Sequence, residues 1–507
     1  MVFDTLVIGY YAVLVVFIRK VKTSSGSTAV QIARRENKRD RVISHIGSAN
    51  TEDELNILLQ LAHKQMLGGQ LSLFPDDKSP RIIQIESRPK YLWDTLCETY
   101  HHLGLDAIDD PLFKHLVVAR LIEPTSKLGS IRIIAESGTQ PPTYTAIHRC
   151  LQRINSDNYR DVLQQVFFKC TKLHNLSLVL YDVTTLYFES QQGDEFRKPG
   201  LSKERRLEPQ ILVGLLVTRT GFPLAISEFE GNKAEAKTII PIVQEYVSTH
   251  GLGNVTIATD AGMLSSENLT KLEEAGFTYI VGSKMDKIPY CLELLGELEV
   301  TPSDSFIFDT DKTFMLAGRK QKRRIIYQYK EKRAKLDIKN IDDQIEKAKK
   351  IIDGKTQAKK NKFLKITTKD KTLNTDLINK YKARAGWKGY ITNLPRTGKQ
   401  KVDPLEIISN YHQLFQVEKS FRMSKSDLKA RPIFHHKLES IRAHITIVFA
   451  ALAMARFIED KTGISIRKFI QLLHTIQSGT VEISGKSYDT EPKIPNEVLE
   501  VIRLLTH

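Results

Sequence analysis

Between residues 15 and 47, apolar and polar positions alternate around two turn signals, SSGS and ENKRD. A period of two bounded by turns predicts a three-stranded β-meander, and this one carries Arg19, Lys20, Lys22, Arg34 and Arg35. Thr51-x-x-Glu54 has the capping-box spacing, so a helix should run from there to about Leu67, ahead of the loop GGQLSLFPDDKSP. Residues 90–172 are mostly of helical pattern, broken at IEPTSK and SGTQPPT. Two N-terminal regions result: a basic meander with a helix over 1–80, and a helical region over 81–172.

The pattern changes after residue 173. A mostly apolar run from Leu176 carries Asp182 at its far end; ILVGLLVT and LAISEFE follow with hairpin spacing through RTGFP. The helical segment EAKTIIPIVQEYVSTHG comes next, then VTIATD ending at Asp260, a helix SENLTKLEEAG that Ser265 can cap, and the strand FTYIVGS. Three strands in hairpin order, then helix, strand, helix and strand, give an α/β layer whose fourth strand can pair beside the first. This is the ribonuclease-H-like order, a mixed sheet flanked by helices. It brings Asp182 and Asp260 together although 260 − 182 = 78 positions separate them.

The core is therefore expected in two parts, 173–284 and 386–460, with an insertion over 285–385 in which the sheet pattern stops and a helical tail over 461–507. Within the insertion Leu336, Ile341, Ile345, Ala348 and Ile352 fall at helical spacing. The core pattern resumes at GWKGYITNLP and leads into YHQLFQVEKSFRMSK, where Tyr411, Glu418 and Lys425 stand seven apart. On one continuous helix they would form a stripe with steps of roughly 10.5 Å. Ser440–Phe457 is apolar on several faces and should be a helix buried behind the sheet.

Charge sharpens this outline. The 507 residues carry 75 Lys and Arg against 59 Asp and Glu, a formal +16, which favours a polyanionic partner. Arg319–Lys365 alone holds 18 basic and 6 acidic residues, a net +12. A charge run of this kind is ordinarily a solvated face; its concentration in one insertion is what points to a polyanion. Cys97, Cys150, Cys170 and Cys291 are far apart, so neither a zinc site nor a disulfide framework is expected, and the setting is reducing and cytosolic. The apolar start MVFDTLVIGYYAVLVVFIR lacks the flanks of a signal peptide; a buried strand or sequence upstream of the functional start is expected there, not a membrane anchor.

Three acids now occupy structural landmarks: Asp182, Asp260 and Glu418. Singly, a strand-end Asp is ordinarily a turn or cap residue, and a helical Glu a surface charge. Together they form a set of hard oxygen ligands suited to Mg²⁺ or Mn²⁺, and a divalent cation relieves the repulsion among them. Two such ions could bind the attacking and leaving oxygens of a phosphodiester displacement. Lys284, just after the fifth strand, could reach a phosphate, although a Lys there is ordinarily solvated. Thr184 and Thr185 read as strand formers, His435 and His436 have no partners at metal-ligand spacing, and His444 reads as the edge of a packed helix.

YDVTTLYFES, VTIATDAGMLSSENL with YIVGSK, and YHQLFQVEKSFRMSKSDLKARPIFHH together resemble bacterial insertion-sequence transposases of the DDE superfamily, in the subgroup with a Tyr, Arg, Glu, Lys signature helix. GFPLAISEFEGN and IRAHITIVFAALAMARF add to a likeness over about 173–460, with weaker likeness in FIRKVKTSSGSTAVQI and ARLIEPTSK. The resemblance implies that Asp182, Asp260 and Glu418 are a catalytic triad holding two metal ions, and that Tyr411 and Lys425 contact transposon-end DNA. Leu414 stands where the signature has Arg, so Arg422, one turn after Glu418, is the candidate substitute. Also implied are cleavage at transposon ends, strand transfer into target DNA, DNA-end binding by residues 81–172, a DNA-holding insertion, a homodimer, and a nucleoid-associated cytoplasmic protein. The rival readings are a ribonuclease-H-like nuclease without strand transfer, and a transposase-derived DNA-binding protein that no longer catalyses.

Overall fold

The capping box forms in the computed structural model: Glu54 N–H donates to Thr51 Oγ1 and Thr51 N–H to Glu54 Oε2, both at 3.3 Å. The structure describes residues 16–506 apart from positions 25, 37–38, 68–81, 173–175, 191, 201–207, 254, 263–264, 284–288, 299, 317–318, 357–360, 367–370 and 484–485. Lys284 and the first 15 residues of the apolar start lie outside the described residues. The chain divides into two compact units, Met1–Ile85 with Val481–Tyr488, and Glu86–Thr480 with Asp489–His507.

In the first unit β1 (Val16–Lys22), β2 (Thr28–Glu36) and β3 (Arg39–Ala49) form the expected antiparallel meander, and α1 (Glu52–Leu67) follows. Val30 and Ile32 of the sheet and Ala62 of the helix close a small core between them. β4 (Ile82–Arg88) crosses the division between the units.

The second unit begins with α2 (Lys90–His102), α3 (Pro111–Ile122), α4 (Lys127–Glu136), α5 (Tyr144–Ser156) and α6 (Tyr159–Lys172). The expected breaks separate α3 from α4 and α4 from α5, and Ser126 and Thr143 cap the helices that follow. Next come β5 (Leu178–Tyr187), β6 (Gln210–Thr218), β7 (Pro223–Glu230), α7 (Ile239–His250), β8 (Thr256–Thr259), α8 (Ser266–Glu274) and β9 (Thr278–Ser283). β6 is antiparallel to β5 and β7, while β8 is parallel to β5 and β9, so the order 7-6-5-8-9 is the ribonuclease-H-like one.

The sheet does not stop there. After α9 (Tyr290–Glu297), β10 (Ile307–Leu316) and β11 (Arg319–Tyr329) join the same sheet through β14 (Trp387–Thr392), giving eight strands in the order 10-11-14-9-8-5-6-7. The expectation of no sheet pattern over 285–385 is thereby corrected. Between β11 and β14 lie α10 (Glu331–Ile352), β12 (Leu364–Ile366), β13 (Lys371–Leu373) and α11 (Thr375–Ala383). The basic run is partly structural. Arg323, 1% exposed in its side chain, pairs with Glu273, and Arg324 makes a two-pronged pair with Asp309 while donating to the carbonyls of Pro395 and Val402.

α12 (Pro404–His412), α13 (Phe415–Ser426) and α14 (Leu438–Thr462) complete the layer. α14 is long and apolar enough to cross a membrane, but 89% of its most apolar window is buried inside the protein, as its many-sided apolar pattern predicts. α2, α3, α5 and α6 share one hydrophobic core with α14 and one sheet face; α7 and α8 cover the other face. The helices up to α6 and the strands from β5 onward therefore belong to one of the two units. The tail is not all helical: α15 (Ile466–His474) is followed by β15 (Ser478–Ile483) and β16 (Lys486–Thr490), which form a sheet with β4, and then by α16 (Asn496–Thr506).

Buried carboxylates tie the layers. Glu228 of β7 receives Arg160 of α6 and Arg442 of α14 as ion pairs. Asp110 caps α3 through Leu112 N–H and Phe113 N–H, and accepts from Arg153 at 2.6 Å and Tyr159 at 3.0 Å. Burial pushes its pKa up, but Arg153, Phe113 N–H and Tyr159 outweigh that and hold it below the usual carboxylate value. A depressed pKa gives stability that is complete above the unfolded value, about 3.9, and lost as pH falls through the folded value. Asp110→Asn should therefore unfold at lower urea than the parent at pH 7, and the gap should narrow at pH 3; a gap independent of pH would contradict this.

Candidate active site

β5 and β8 pair as Leu178↔Thr256, Val179↔Ile257 and Leu180↔Ala258, a constant offset of 78. Carried two residues further, the same offset matches Asp182 with Asp260, which follows directly on the end of β8 at Thr259. Alternation fixes their face. Leu178, Leu180, Leu186 and Ala258 pack in the larger core with α14, whereas Val179, Tyr181, Val183 and Ile257 pack against α7 and α8. Both aspartates therefore belong to the α14 side, where α13 lies against β5.

Two local expectations change. Asp182 is not at a strand end: β5 stays paired with β6 as far as Tyr187↔Gln210. It is β8 that stops, at Thr259, leaving Asp260 exposed in the following turn. Nor do Tyr411, Glu418 and Lys425 share one helix. Leu414 N–H bonds Tyr411 O and Gln416 N–H bonds Gln413 O, three residues back, so a 3₁₀-like joint separates α12 from α13. Leu414 is buried at this joint, in core packing where the signature has an arginine.

Tyr411, 5% exposed, donates its hydroxyl to Asp260 Oδ1 at 3.0 Å, and Ala261 N–H donates to the same oxygen at 2.7 Å. The described residues offer Oδ2 no hydrogen bond. Burial first, then the neighbouring Asp260, raises the Tyr411 hydroxyl well above its ordinary pKa. The tyrosine expected to touch DNA thus spends its hydroxyl on an aspartate. Gly282 of β9 makes room for it: a Cβ there would lie 2.5 Å from Tyr411 Oη.

Glu418 is exposed in the first turn of α13, and its charge, with that of Asp260, acts on both Tyr411 and Lys388. Lys388 of β14 is a residue the sequence reading passed over. Its Nζ stands 4.4 Å from the Tyr411 ring centroid, and burial, followed by Arg333, lowers its pKa. Its signal was the alternation in GWKGYITNLP, which puts Lys388 and the core residue Tyr390 on one face. Lys425 lines a narrow cavity with Thr184, Leu186 and Phe421, and Arg422 is exposed on α13 with its charge acting on Asp427. Among the described residues no group of three or more His, Cys, Asp or Glu side chains stands ready to hold a metal ion, so Asp182, Asp260 and Glu418 do not form a closed ligand set in this structure.

The family model described as "Transposase DDE domain" matches residues 174–454, more than half of the chain. The chain belongs to the DDE transposase family. The matched span of this transposase contains both aspartates, Glu418 and every side chain placed around them above. A cryo-EM structure of a piggyBac transposase synaptic complex with hairpin DNA is similar over 76% of this chain and 79% of that chain, with 10% identity and a TM-score of 0.37. No curated protein matches the sequence.

The fit of Tyr411 over Gly282 is testable. Gly282→Ala should cost about 1–3 kcal/mol in urea unfolding, because the added methyl meets a buried, hydrogen-bonded side chain. In a Tyr411→Phe background the cost should shrink, giving a coupling in a double-mutant cycle. Additive effects would show that the two positions are independent.

Proposed function

We propose that this transposase cuts DNA strands at the ends of its element and joins the freed 3′-hydroxyl to target DNA, using Asp182, Asp260 and Glu418 as metal-binding catalytic residues. The observation that carries this reading is the parallel pairing of β5 with β8 at the offset that matches Asp182 with Asp260, with α13, which carries Glu418, against β5, inside a transposase domain.

The donor set fits Mg²⁺ or Mn²⁺: hard carboxylate oxygens, one aspartate exposed with Oδ2 uncommitted, and partners whose hydrogen bonds all go to Oδ1. Two bound cations would lower the pKa of an attacking water and offset charge on the leaving oxygen. The chain's own residues do the rest. Tyr411 and Ala261 N–H fix the rotation of the Asp260 carboxylate. Lys388, on the same sheet face, adds positive charge where a phosphate approaches, and Lys425 and Arg422 of α13 contact the strand beside it. The meander of 1–80, the helices of 81–172 and the exposed lysines of α10 supply phosphate contacts and end recognition in a dimer, in a nucleoid-associated setting. Arg323 and Arg324 do not join them, being committed to Glu273 and Asp309.

A supercoiled plasmid carrying the DNA that flanks the gene is the substrate for the test. Asp182→Asn, Asp260→Asn and Glu418→Gln should each reduce nicking by about 100-fold or more, the scale for loss of one preorganised electrostatic group. Duplex binding should persist and should weaken steeply with salt. Unchanged nicking in all three would end the catalytic assignment, while nicking without joined product in the parent would identify a nuclease.

A further inference from the structure

Four basic side chains outside the acid site converge where α3 and α4 meet the loop after α13. Arg120 ends α3, Lys127 opens α4, His435 lies in the loop, and His444 stands on α14. Lys127 Nζ is 2.7 Å from His435 Nε2, and the rings of His435 and His444 are 5.6 Å apart. His444 is 5% exposed; its Nε2–H donates to Ala430 O at 3.1 Å, and its buried Nδ1 has no partner. Arg120 is 7% exposed, and the described residues give its guanidinium neither a hydrogen bond nor an ion pair. The charges acting most strongly on these groups are one another's, and no carboxylate is among them.

A guanidinium with so little exposure and no acceptor is costly, and a folded protein ordinarily pairs it. The donors left over describe the missing partner. Arg120 offers a planar fork, Lys127 has two N–H bonds beyond the one to His435, and His435, accepting at Nε2, carries its proton at Nδ1. The N-terminus of α4, capped by Ser126 at Gly129 N–H, adds its dipole. Burial first, then the neighbouring charges, lowers Lys127 to about 7 and His435 to about 3, so His435 is a neutral imidazole that donates through Nδ1. Lys127 and His435 are only half-buried, so the cluster is open to a ligand from outside.

We propose that Arg120, Lys127 and His435, with the His444 ring 5.6 Å from that of His435, form an oxyanion site that holds one backbone phosphate of DNA. The proposal rests on the DNA-binding part of the reading above, and its place in the fold commits it to DNA. The loop is stitched to the end of β5, with Ile433 N–H bonded to Tyr187 O and Glu189 N–H to Ile433 O. Five residues of strand separate Tyr187 from Asp182, roughly 16 Å. That is about half a turn of duplex, whose repeat is about 34 Å. The site would fix the strand beyond the scissile phosphate and so set its register over the acids.

The test uses the full chain and its Arg120→Met and Lys127→Met variants. Inorganic phosphate, added against chloride at constant ionic strength, should raise the melting temperature of the parent and not of the variants. A 30-bp duplex should bind each variant about tenfold more weakly, and the slope of log affinity against log salt should fall by about 0.9, one phosphate contact. Arg120→Met should melt no lower than the parent in chloride, because it removes an uncompensated buried charge. Unchanged duplex affinity and slope in both variants, with the parent binding normally, would overturn the proposal. So would phosphate stabilisation lost in the variants while duplex binding stays intact, which would mark a small-anion site. Duplex binding with no nicking by the parent would remove the catalytic reading and leave this site standing, whereas a parent that binds no duplex would remove both.

Discussion

The parallel pairing of β5 with β8 at a constant offset of 78 is the constraint on which the rest of the site depends. A slip of one residue would turn Asp260 to the opposite face and away from Asp182. Burial on both sides prevents it: Leu180 and Ala258 are needed in the core beneath α14, and Val179 and Ile257 in the core beneath α7 and α8. A short four-residue β8 suffices because both of its faces are committed. Its brevity also exposes Asp260 as soon as the strand ends.

Around that pair the later part of the chain supplies support. β14 joins the sheet beside β9, with Tyr390 opposite Gly282, and Tyr390 meets Tyr411 edge-on at 5.0 Å. Tyr411 then reaches across Gly282 to Asp260, and Lys388 covers the tyrosine ring. Residues 151 positions apart are thus coupled through one hydroxyl, and the insertion that separates them in sequence contributes two strands to the same sheet. A small residue on β9 and a tyrosine on α12 make one device for orienting a carboxylate.

Strand order and the burial of α14 were legible in the sequence because each rests on periodicity with apolar runs on both faces. β10 and β11 were hidden because their alternation is written in ion pairs: Arg323 and Arg324 are buried, but against Glu273 and Asp309, so the strand looks like a charge run. The joint between α12 and α13 escaped because Gln413 and Leu414 keep right-handed helical angles and change only their hydrogen-bond partners. The tail hairpin was missed although SGTVEISGKSYDT alternates about a turn signal. The alternation of GWKGYITNLP marked the face of Lys388 but not its role, since Asp260, whose charge acts on it, lies 388 − 260 = 128 positions away.

The central claim is that Asp182, Asp260 and Glu418 serve one cation-binding centre. Loading the protein with Fe²⁺ in place of Mg²⁺ and adding ascorbate and peroxide generates radicals that cut the backbone next to the bound ion. Cuts grouped near residues 182, 260 and 418, suppressed by excess Mg²⁺ and absent in Asp260→Asn, are the expected result. Cuts that avoid any one of the three segments, or that survive in Asp260→Asn, would contradict a shared centre.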